Sequence, residues 1–124
     1  MADILIIEDE EPLVKIYSIV LANAGHNIIG SFYDGKEALN FFKRLKKWPE
    51  IIIIDQRLPG MKGLDLLKVI KEDAEKNKSQ ILFISADNLV QNEVTSLGAK
   101  FIQKPFSVLK LSEIITNLLN PSPI

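Results

Sequence analysis

The chain has 124 residues, a length that suits one domain able to remove roughly two-thirds of its unfolded surface from water. It carries 15 basic and 16 acidic residues and a formal net charge of -1, which argues against a general nucleic-acid binder. Cysteine is absent, so disulfides and thiolate metal sites are excluded. The apolar run Ile4 to Ile7 is too short for a signal peptide or a membrane span. We therefore expect a cytoplasmic domain with no membrane partner.

Short apolar runs alternate with segments of helical period, a pattern typical of βαβ units that form a parallel sheet covered by helices on both faces. The first strand is predicted at 4–7 and the first helix at about 11–24, with Pro12 in its first turn. The second strand, 27–32, is the least apolar and is expected at a sheet edge. The inward stripe of the first helix is predicted to be Leu13, Tyr17, Val20, Leu21 and Ala24.

The second helix is predicted to begin after Asp34, which with Glu37 resembles a capping box, and to be closed by Pro49. The third strand, Ile51 to Asp55, consists of four isoleucines and a carboxylate. Such an unbroken apolar run is typical of a strand that is buried on both faces. A proline and two glycines follow, so Asp55 is expected at the carboxyl end of its strand, where open parallel sheets place their chemistry.

The remaining elements repeat this rhythm. A third helix is predicted after Gly63, and its inward face carries Leu64, Leu67, Ile70 and Ala74. A fourth strand is predicted over 81–84, followed by a helix that is capped by Asp87 or Asn88 and ended by Gly98. The fifth strand is predicted over 100–103, and the last helix is capped by Ser107 and ends at Asn120. Residues 1–120 are therefore predicted as one domain, and 121–124 as a tail or the start of a linker.

Four of the five strands end beside a residue that can bind phosphate or metal. These residues are Glu8 and Asp9, Asp55, Ser85 and Lys104. Right-handed crossovers bring the strand ends to one edge of the sheet, so these side chains should converge. Each also has a local alternative: the carboxylates can cap a helix or a loop, Ser85 can bond a nearby backbone group, and Lys104 can be a solvated charge. Their coincidence favours a functional site.

In order and spacing, these motifs resemble the receiver domain of bacterial two-component response regulators over residues 3 to about 120. They are the acidic pair, the Asp55 strand with the Leu58-Pro59-Gly60-Met61 loop and Gly63, the segment Ile84-Ser85-Ala86, and Lys104-Pro105-Phe106. The resemblance implies a flavodoxin-like doubly wound α/β fold with five parallel strands in the order 2-1-3-4-5 and five helices on both faces. It also implies that Asp55 accepts a phosphoryl group from a sensor histidine kinase or a histidine phosphotransfer protein.

Three converging carboxylates repel one another and raise their own pKa values, so the acidic cluster calls for a divalent cation. Mg²⁺ suits it, because this ion takes oxygen ligands and keeps several waters, and Mn²⁺ is an alternative. We assign Asp9 and Asp55 as direct ligands and Glu8 as a ligand through water. The resemblance adds the backbone carbonyl of Arg57.

The resemblance further implies that Lys104 and Ser85 contact the phosphoryl group and that Ser85 and Phe101 then move inward. This switch would remodel the face made by the fourth helix, the fifth strand and the fifth helix. A downstream protein target would dock there, and a phosphorylation-dependent dimer could form. For Phe101 the plain alternative is core packing. The Lys104–Pro105 bond is expected to be cis.

By resemblance, Arg57 and Asp87 occupy positions that tune the lifetime of the phosphate. Our hypothesis is that the two side chains pair across the site and hinder the hydrolytic water. The alternative is a pair of independent, solvated loop charges. A separate basic run, Lys43-Arg44-Leu45-Lys46-Lys47, is interpreted as complementing the dipole at the end of the second helix rather than as a nucleic-acid site.

Three rival functions follow from the same residues. A non-phosphorylated pseudo-receiver would act only as an interaction module, but no chemical role is vacant here. A haloacid-dehalogenase-like phosphatase requires a second aspartate two residues after its nucleophile, and this chain has Arg57 at that position. A flavodoxin-like flavin carrier needs a phosphate loop after the first strand, where the acidic run Glu8 to Glu11 would repel phosphate. We therefore expect a signalling domain, not an enzyme, whose chemistry is confined to its own phosphorylation and dephosphorylation.

Overall fold

The computed structural model describes residues 2–73 and 78–120, in which five parallel strands form one sheet in the order β2-β1-β3-β4-β5. The strands are β1 (Asp3–Ile7), β2 (Asn27–Phe32), β3 (Ile51–Asp55), β4 (Gln80–Ser85) and β5 (Lys100–Gln103). The helices are α1 (Glu11–Asn23), α2 (Gly35–Arg44), α3 (Gly63–Glu72), α4 (Gln91–Ser96) and α5 (Val108–Leu119). The predicted fold class and strand order are confirmed. The predicted tail, 121–124, lies outside the described residues.

Two apolar cores lie on the two faces of the sheet. Ile52 and Ile54 of β3 point toward α2, α3 and α4, whereas Ile51 and Ile53 point toward α1 and α5. All four side chains are buried, because helices cover both faces of this central strand. The less apolar β2 lies at one edge of the sheet, as its composition predicts.

The predicted helix caps agree with the structure. The Asp34 carboxylate accepts from the backbone N–H groups of Lys36 and Glu37, and Ser107 Oγ accepts from Lys110 N. Of the two candidates for the fourth helix, Asp87 is the cap, and it precedes a short 3-10 turn, Asn88–Val90, that leads into α4. No described helix is long and apolar enough to cross a membrane.

Some helix details differ from the sequence predictions. α2 ends at Arg44, well before Pro49, because Leu45 already adopts an extended backbone with ψ of 125°. On α1 the buried stripe includes Val14, which was not predicted, whereas Ala24 lies after the helix and is exposed. On α3 the buried residues include Leu66, and Leu64 is half-buried. The predicted inward residue Ala74 lies outside the described residues.

Candidate functional site

The predicted site residues meet at one edge of the sheet, because each belongs to the carboxyl end of a parallel strand. Glu8 and Asp9 follow β1, Asp55 ends β3, Ser85 ends β4 and Lys104 follows β5. Neighbouring strand ends are joined through the backbone: Lys104 N donates to Ser85 O at 2.9 Å. The fold therefore brings together side chains that lie up to 96 positions apart in the sequence.

Three carboxylates form the acidic part of this site. Glu8 and Asp55 are 1% and 3% exposed, whereas Asp9 is exposed. One oxygen from each carboxylate lies within 4.8 Å of the others. Burying two neighbouring negative charges is unfavourable unless a cation compensates them. The cluster therefore requires positive charge.

Lys104 supplies part of that charge. Its Nζ lies 2.5 Å from Asp55 Oδ2, 3.3 Å from Glu8 Oε1 and 3.6 Å from Glu10 Oε2. The Lys104–Pro105 peptide bond is cis. The sequence analysis did not assign Glu10 to the site, although its place in the acidic run after β1 was the available signal. The lysine thus bridges acidic side chains from the ends of two strands.

The pKa values of these groups follow from burial and from their neighbours. Burial, reinforced by the hydrogen bond and the negative charge of Asp55, raises the pKa of Glu8 from 4.5 to about 8. For Lys104, burial lowers the pKa, but the hydrogen bond to Asp55 and the charges of Asp55 and Glu8 outweigh burial and hold the pKa above that of an ordinary lysine. Lys104 is therefore a cation at neutral pH, whereas Glu8 retains its proton until a further cation is supplied.

Asp55 is held from both its side chain and its backbone. Its Oδ1 accepts from Arg57 N at 2.9 Å, and its Oδ2 accepts from Lys104. Gly63, the first residue of α3, packs so closely that an added Cβ would lie 2.2 Å from Asp55 O. Only glycine permits this approach between helix and strand end. The Asp55 carboxylate therefore has a fixed position.

Gln56 is a second residue that the sequence analysis missed. α3 receives no side-chain cap from Lys62, the residue before it. Instead, Gln56 Oε1 accepts from Leu64 N at 2.9 Å. This bond spans eight positions, so local capping patterns contain no signal for it. Gln56 therefore ties the loop after Asp55 to the start of α3.

Ser85 and Asp87 form a local turn after β4. Ser85 Oγ donates to Asp87 O at 3.1 Å and accepts from Asp87 N at 3.0 Å. Asp87 Oδ1 accepts from Leu89 N at 2.9 Å. In the part of the chain that the structure describes, Ser85 makes no hydrogen bond with Asp55, and Arg57 forms no ion pair with Asp87. The Ser85 hydroxyl is thus engaged by the turn in this structure.

Phe101 lies in β5, where its ring is half-buried. It stacks on Phe83 with ring centroids 6.5 Å apart and contacts the core beneath α4. Phe101 is also one of the residues that line a groove of about 560 Å³ between β5 and α5. Its position suits core packing and also borders an open groove.

Two cavities open above the acidic cluster. The first, of about 370 Å³, is lined by Asp9, Glu10, Asp55, Arg57, Ala86 and Lys104. The second, of about 480 Å³, is adjacent and includes Ser85 and Asp87 in its lining. Small ligands with several polar contacts occupy cavities of this size. Carboxylates, cations and a hydroxyl therefore face a space that a phosphoryl group can enter.

The donor set of this site fits Mg²⁺. The candidate side-chain ligands Glu8, Asp9 and Asp55 offer oxygen atoms only, which this hard cation prefers. Mg²⁺ binds oxygens at about 2.1 Å, so ligands on opposite sides of the ion lie roughly 4.2 Å apart, within the 4.8 Å spread of the carboxylate oxygens. A divalent cation would also offset the two effects, burial and the negative charge of Asp55, that raise the pKa of Glu8.

Comparisons with known sequences agree with this arrangement. A sequence profile of the family described as response regulator receiver domain matches residues 4–116. The response regulator ArlR of Staphylococcus aureus is 31% identical over 126 aligned residues, which cover 99% of this chain and 55% of that protein. The chain therefore spans about half the length of the curated relatives it matches.

Solved structures share the fold. The response regulatory domain of protein mrkE from Klebsiella pneumoniae has a TM-score of 0.84 and 27% identity, over 94% of each chain. The chemotaxis response regulator CheY4 of Vibrio cholerae has a TM-score of 0.82 and 24% identity, over 95% of this chain and 98% of that chain. CheY4 is only 24% identical to this chain, so its similarity supports a shared fold and nothing further.

Proposed function

Because this chain belongs to the response regulator receiver domain family, we propose that it is a phosphorylation-controlled signalling switch in which Asp55 is the phosphoacceptor. The donor would be a phosphohistidine on a sensor histidine kinase or a histidine phosphotransfer protein. One observation carries the proposal: the Asp55 carboxylate ends a buried strand, faces a cavity and lies 2.5 Å from a lysine ammonium.

The proposed step is a phosphoryl transfer between two side chains. A carboxylate oxygen of Asp55 forms a bond to phosphorus while the bond from phosphorus to the donor imidazole nitrogen breaks. The imidazole leaves with the bonding electron pair and takes a proton from solvent. The product is an aspartyl phosphate, and water later hydrolyses it to restore the carboxylate. We propose no other substrate, so the domain acts on its own side chain and is not a general phosphatase.

Lys104 would stabilise the transferred group. Its Nζ contacts Asp55 Oδ2 and lies in the lining of the same cavity, so a short movement brings it to a phosphoryl oxygen. A charge-assisted hydrogen bond of this kind is stronger than one between neutral groups. The retained contact to Glu8 would keep the ammonium beside the reacting centre.

The carboxylates would hold Mg²⁺, with Mn²⁺ as an alternative. Asp9, Asp55 and the backbone carbonyl of Arg57 would be direct ligands, and Glu8 would act through a water. The bound ion would supply positive charge that offsets the negative charge gathered by the carboxylates and the phosphoryl oxygens. Glu8 would then release the proton that its raised pKa retains in the metal-free protein.

Ser85 and Phe101 would carry the change away from Asp55. The Ser85 hydroxyl would break its hydrogen bonds with Asp87 and donate to a phosphoryl oxygen. Phe101 would then shift toward the space that the hydroxyl had occupied. Support comes from the half-buried ring of Phe101, which borders the groove between β5 and α5. A downstream protein, or a second phosphorylated copy, would dock on the face formed by α4, β5 and α5.

Arg57 and Asp87 would set the phosphate lifetime by hindering the hydrolytic water. Both residues line the cavity beside Ser85, which supports this role. Arg57→Ala and Asp87→Ala should each change the rate of dephosphorylation, measured by the decay of the phosphorylated mass. An unchanged rate in both variants would contradict the role.

The central proposal is tested by intact mass after incubation with acetyl phosphate, with Mg²⁺ or with EDTA. We expect a mass increase of one phosphoryl group only with Mg²⁺, because the carboxylates need a divalent partner. Asp55→Asn should show no increase. Asp65→Asn is the matched control, because it makes the same chemical change at an exposed carboxylate on α3 and should react like the wild type.

Two results would contradict the proposal. An adduct that persists in Asp55→Asn would place the acceptor elsewhere. No adduct under any condition, including with a phosphorylated histidine phosphotransfer protein, would favour a non-phosphorylated interaction module.

A further inference from the structure

A second group of charged side chains lines a cavity at the amino ends of β4 and β5, opposite the carboxyl ends where Asp55 lies. Lys71 lies in the last turn of α3, Lys78 precedes β4, and Lys100 is the first residue of β5. All three line one cavity of about 350 Å³, which we call the lysine cavity. Lys71 and Lys78 flank the connection between α3 and β4, and the pairing of β4 with β5 brings Lys100 to the same cavity.

No acidic side chain compensates these cations within the described chain. The described residues that line the lysine cavity include no aspartate or glutamate. Within 2–73 and 78–120, neither Lys71 nor Lys78 nor Lys100 takes part in an ion pair, whereas Lys15, Lys68 and Lys104 do. A concave surface lined by charges of one sign concentrates its potential on ions of the opposite sign. The lysine cavity is therefore suited to an anion.

Local structure does not account for all three lysines. Lys71 complements the negative end of the α3 dipole, as basic residues in a last turn usually do. Lys100, by contrast, is the first residue of a strand and lies at no helix C-terminus. Two other polar side chains in the lining are already engaged: Ser79 Oγ donates to Pro49 O, and Gln80 Nε2 donates to Leu118 O. The Lys71 ammonium lies beside Gly98, another residue of the lining, because a Cβ built at Gly98 would be 3.7 Å from Lys71 Nζ. The three lysines are thus the charged residues of the described lining.

We propose that the lysine cavity binds a small polyanion that carries two or more phosphate groups. Lysine binds phosphate as a point charge, and three ammonium groups match a ligand with several charged oxygens. The volume lies at the lower end of the range for small-molecule sites, which favours a compact ligand. A nucleic-acid strand is disfavoured, because the described residues that line the cavity include no aromatic side chain for base stacking and the chain has a net charge of -1.

This site is separate from the phosphorylation site. Asp55 pairs with Ile84 in the sheet, and Ile84 lies four positions along β4 from Gln80, which is in the lining of the lysine cavity. At about 3.3 Å per residue, this spacing corresponds to roughly 13 Å along the strand. A polyanion in the lysine cavity therefore leaves Asp55 accessible, and the two sites can be tested independently.

The test is a titration of the ¹⁵N-labelled protein with inorganic pyrophosphate in Mg²⁺-free buffer, followed by backbone amide shifts. Saturable shifts are expected at Ser79, Gly98 and Lys100, with no matching change at Ala86 beside Asp55. The variant K71Q/K78Q/K100Q should bind about tenfold more weakly, because it lacks the three positive charges that attract the anion. Raised salt should weaken binding by the wild type.

The chain offers a matched control. K43Q/K46Q/K47Q removes the same charge from the basic run after α2, where all three lysines are exposed. This control should retain the wild-type affinity within about twofold, because its charges lie outside the cavity. Should the triple cavity variant lose its dispersed spectrum, the single change K100Q at an exposed position replaces it, with an expected loss of about threefold.

Three results would overturn the proposal. Equal weakening in the cavity variant and the control would show a general charge effect. Shifts confined to the Asp55 edge, or shifts that never saturate, would exclude a site in the lysine cavity. Tighter binding by a short single-stranded oligonucleotide than by pyrophosphate, at the same amides, would assign the surface to nucleic acid instead.

Discussion

The end of β3 and the segment after β4 lie side by side at one edge of the sheet, yet they are built differently. Asp55 is 3% exposed, both its carboxylate oxygens accept hydrogen bonds, and Gly63 closes against its carbonyl. After Ser85, the residues 86–89 are exposed, and α4 has six residues of which only Val94 is buried. The end of β3 is therefore held from several sides, whereas the segment after β4 is mostly exposed.

This difference matches two different physical requirements. The proposed group transfer needs reacting atoms that are held in one geometry, which the buried end of β3 would provide. A conformational response needs a segment that can change at small free-energy cost, which exposed turns and short helices provide. We therefore expect disturbance of the acceptor end to affect the whole fold and disturbance of α4 to remain local.

The largest effect is expected from Gly63→Ala. The new Cβ would meet Asp55 O at 2.2 Å and Gln56 Cα at 2.9 Å, so α3 and the strand end must separate. We expect the free energy of unfolding to fall by about 3 kcal/mol, measured by urea denaturation. The matched control is Gly30→Ala, whose Cβ would meet the tip of the Leu5 side chain at 3.2 Å and Phe32 Cε2 at 3.8 Å. This variant should change the free energy of unfolding by less than about 1 kcal/mol. Similar losses in both variants would contradict a tightly held acceptor end.

The second effect is a pH dependence of the metal-free protein. Glu8 has a pKa of about 8 in the folded chain and 4.5 as an ordinary glutamate, so between these values the folded state binds more protons than the unfolded state. The free energy of unfolding should therefore fall as pH rises from about 4.5 to 8, by roughly 2 kcal/mol in EDTA. Mg²⁺ should reverse part of this loss at pH 8, because it favours the ionised carboxylate.

Glu8→Gln provides the control for this pH dependence. The amide does not titrate, so the fall in stability across this range should flatten in the variant. An identical pH profile in the wild type and in Glu8→Gln would show that the dependence arises elsewhere.

The smallest effect is expected from Val94→Ala in α4. Val94 is fully buried, and removal of two methyl groups should lower the free energy of unfolding by about 1.5 kcal/mol. Native-state hydrogen exchange should accelerate more in 91–97 than in β3, because α4 has no other buried residue to hold it. Asn92→Ala on the exposed face should leave exchange nearly unchanged. Equal acceleration in α4 and β3 would contradict the contrast between the two regions.

The sequence predicted best where one strong physical cause acts. Four isoleucines gave β3 its predicted bounds, because only a strand covered on both faces accommodates such a run. Asp34 and Ser107 were found as caps because capping depends on residues two or three positions away. The convergence of Asp55 with Lys104 followed from the general rule on strand ends in parallel sheets.

Features that depend on tertiary contacts were not predictable in this way. α2 ends early because Leu45 has an extended backbone. No proline or glycine at this position indicates the end of the helix in the sequence. Gln56 caps α3 across eight positions, and Glu10 joins Lys104 only after β1 and β5 are in the same sheet. The orientation of the Ser85 hydroxyl was likewise undetermined, because a serine can bond its own turn or the neighbouring strand end.

The contact between Lys104 and Glu8 has a consequence for biosynthesis. The two residues are 96 positions apart, and Asp55 is 49 positions from the same lysine. The ribosome therefore adds Glu8 and Asp55 well before Lys104. The contacts of the lysine can form only after β5 and Lys104 have been synthesised. Contacts this distant in sequence also slow folding, because the intervening loops must close first. A chain that stops before residue 104 would thus carry Asp55 without the ammonium group that contacts it in the folded protein.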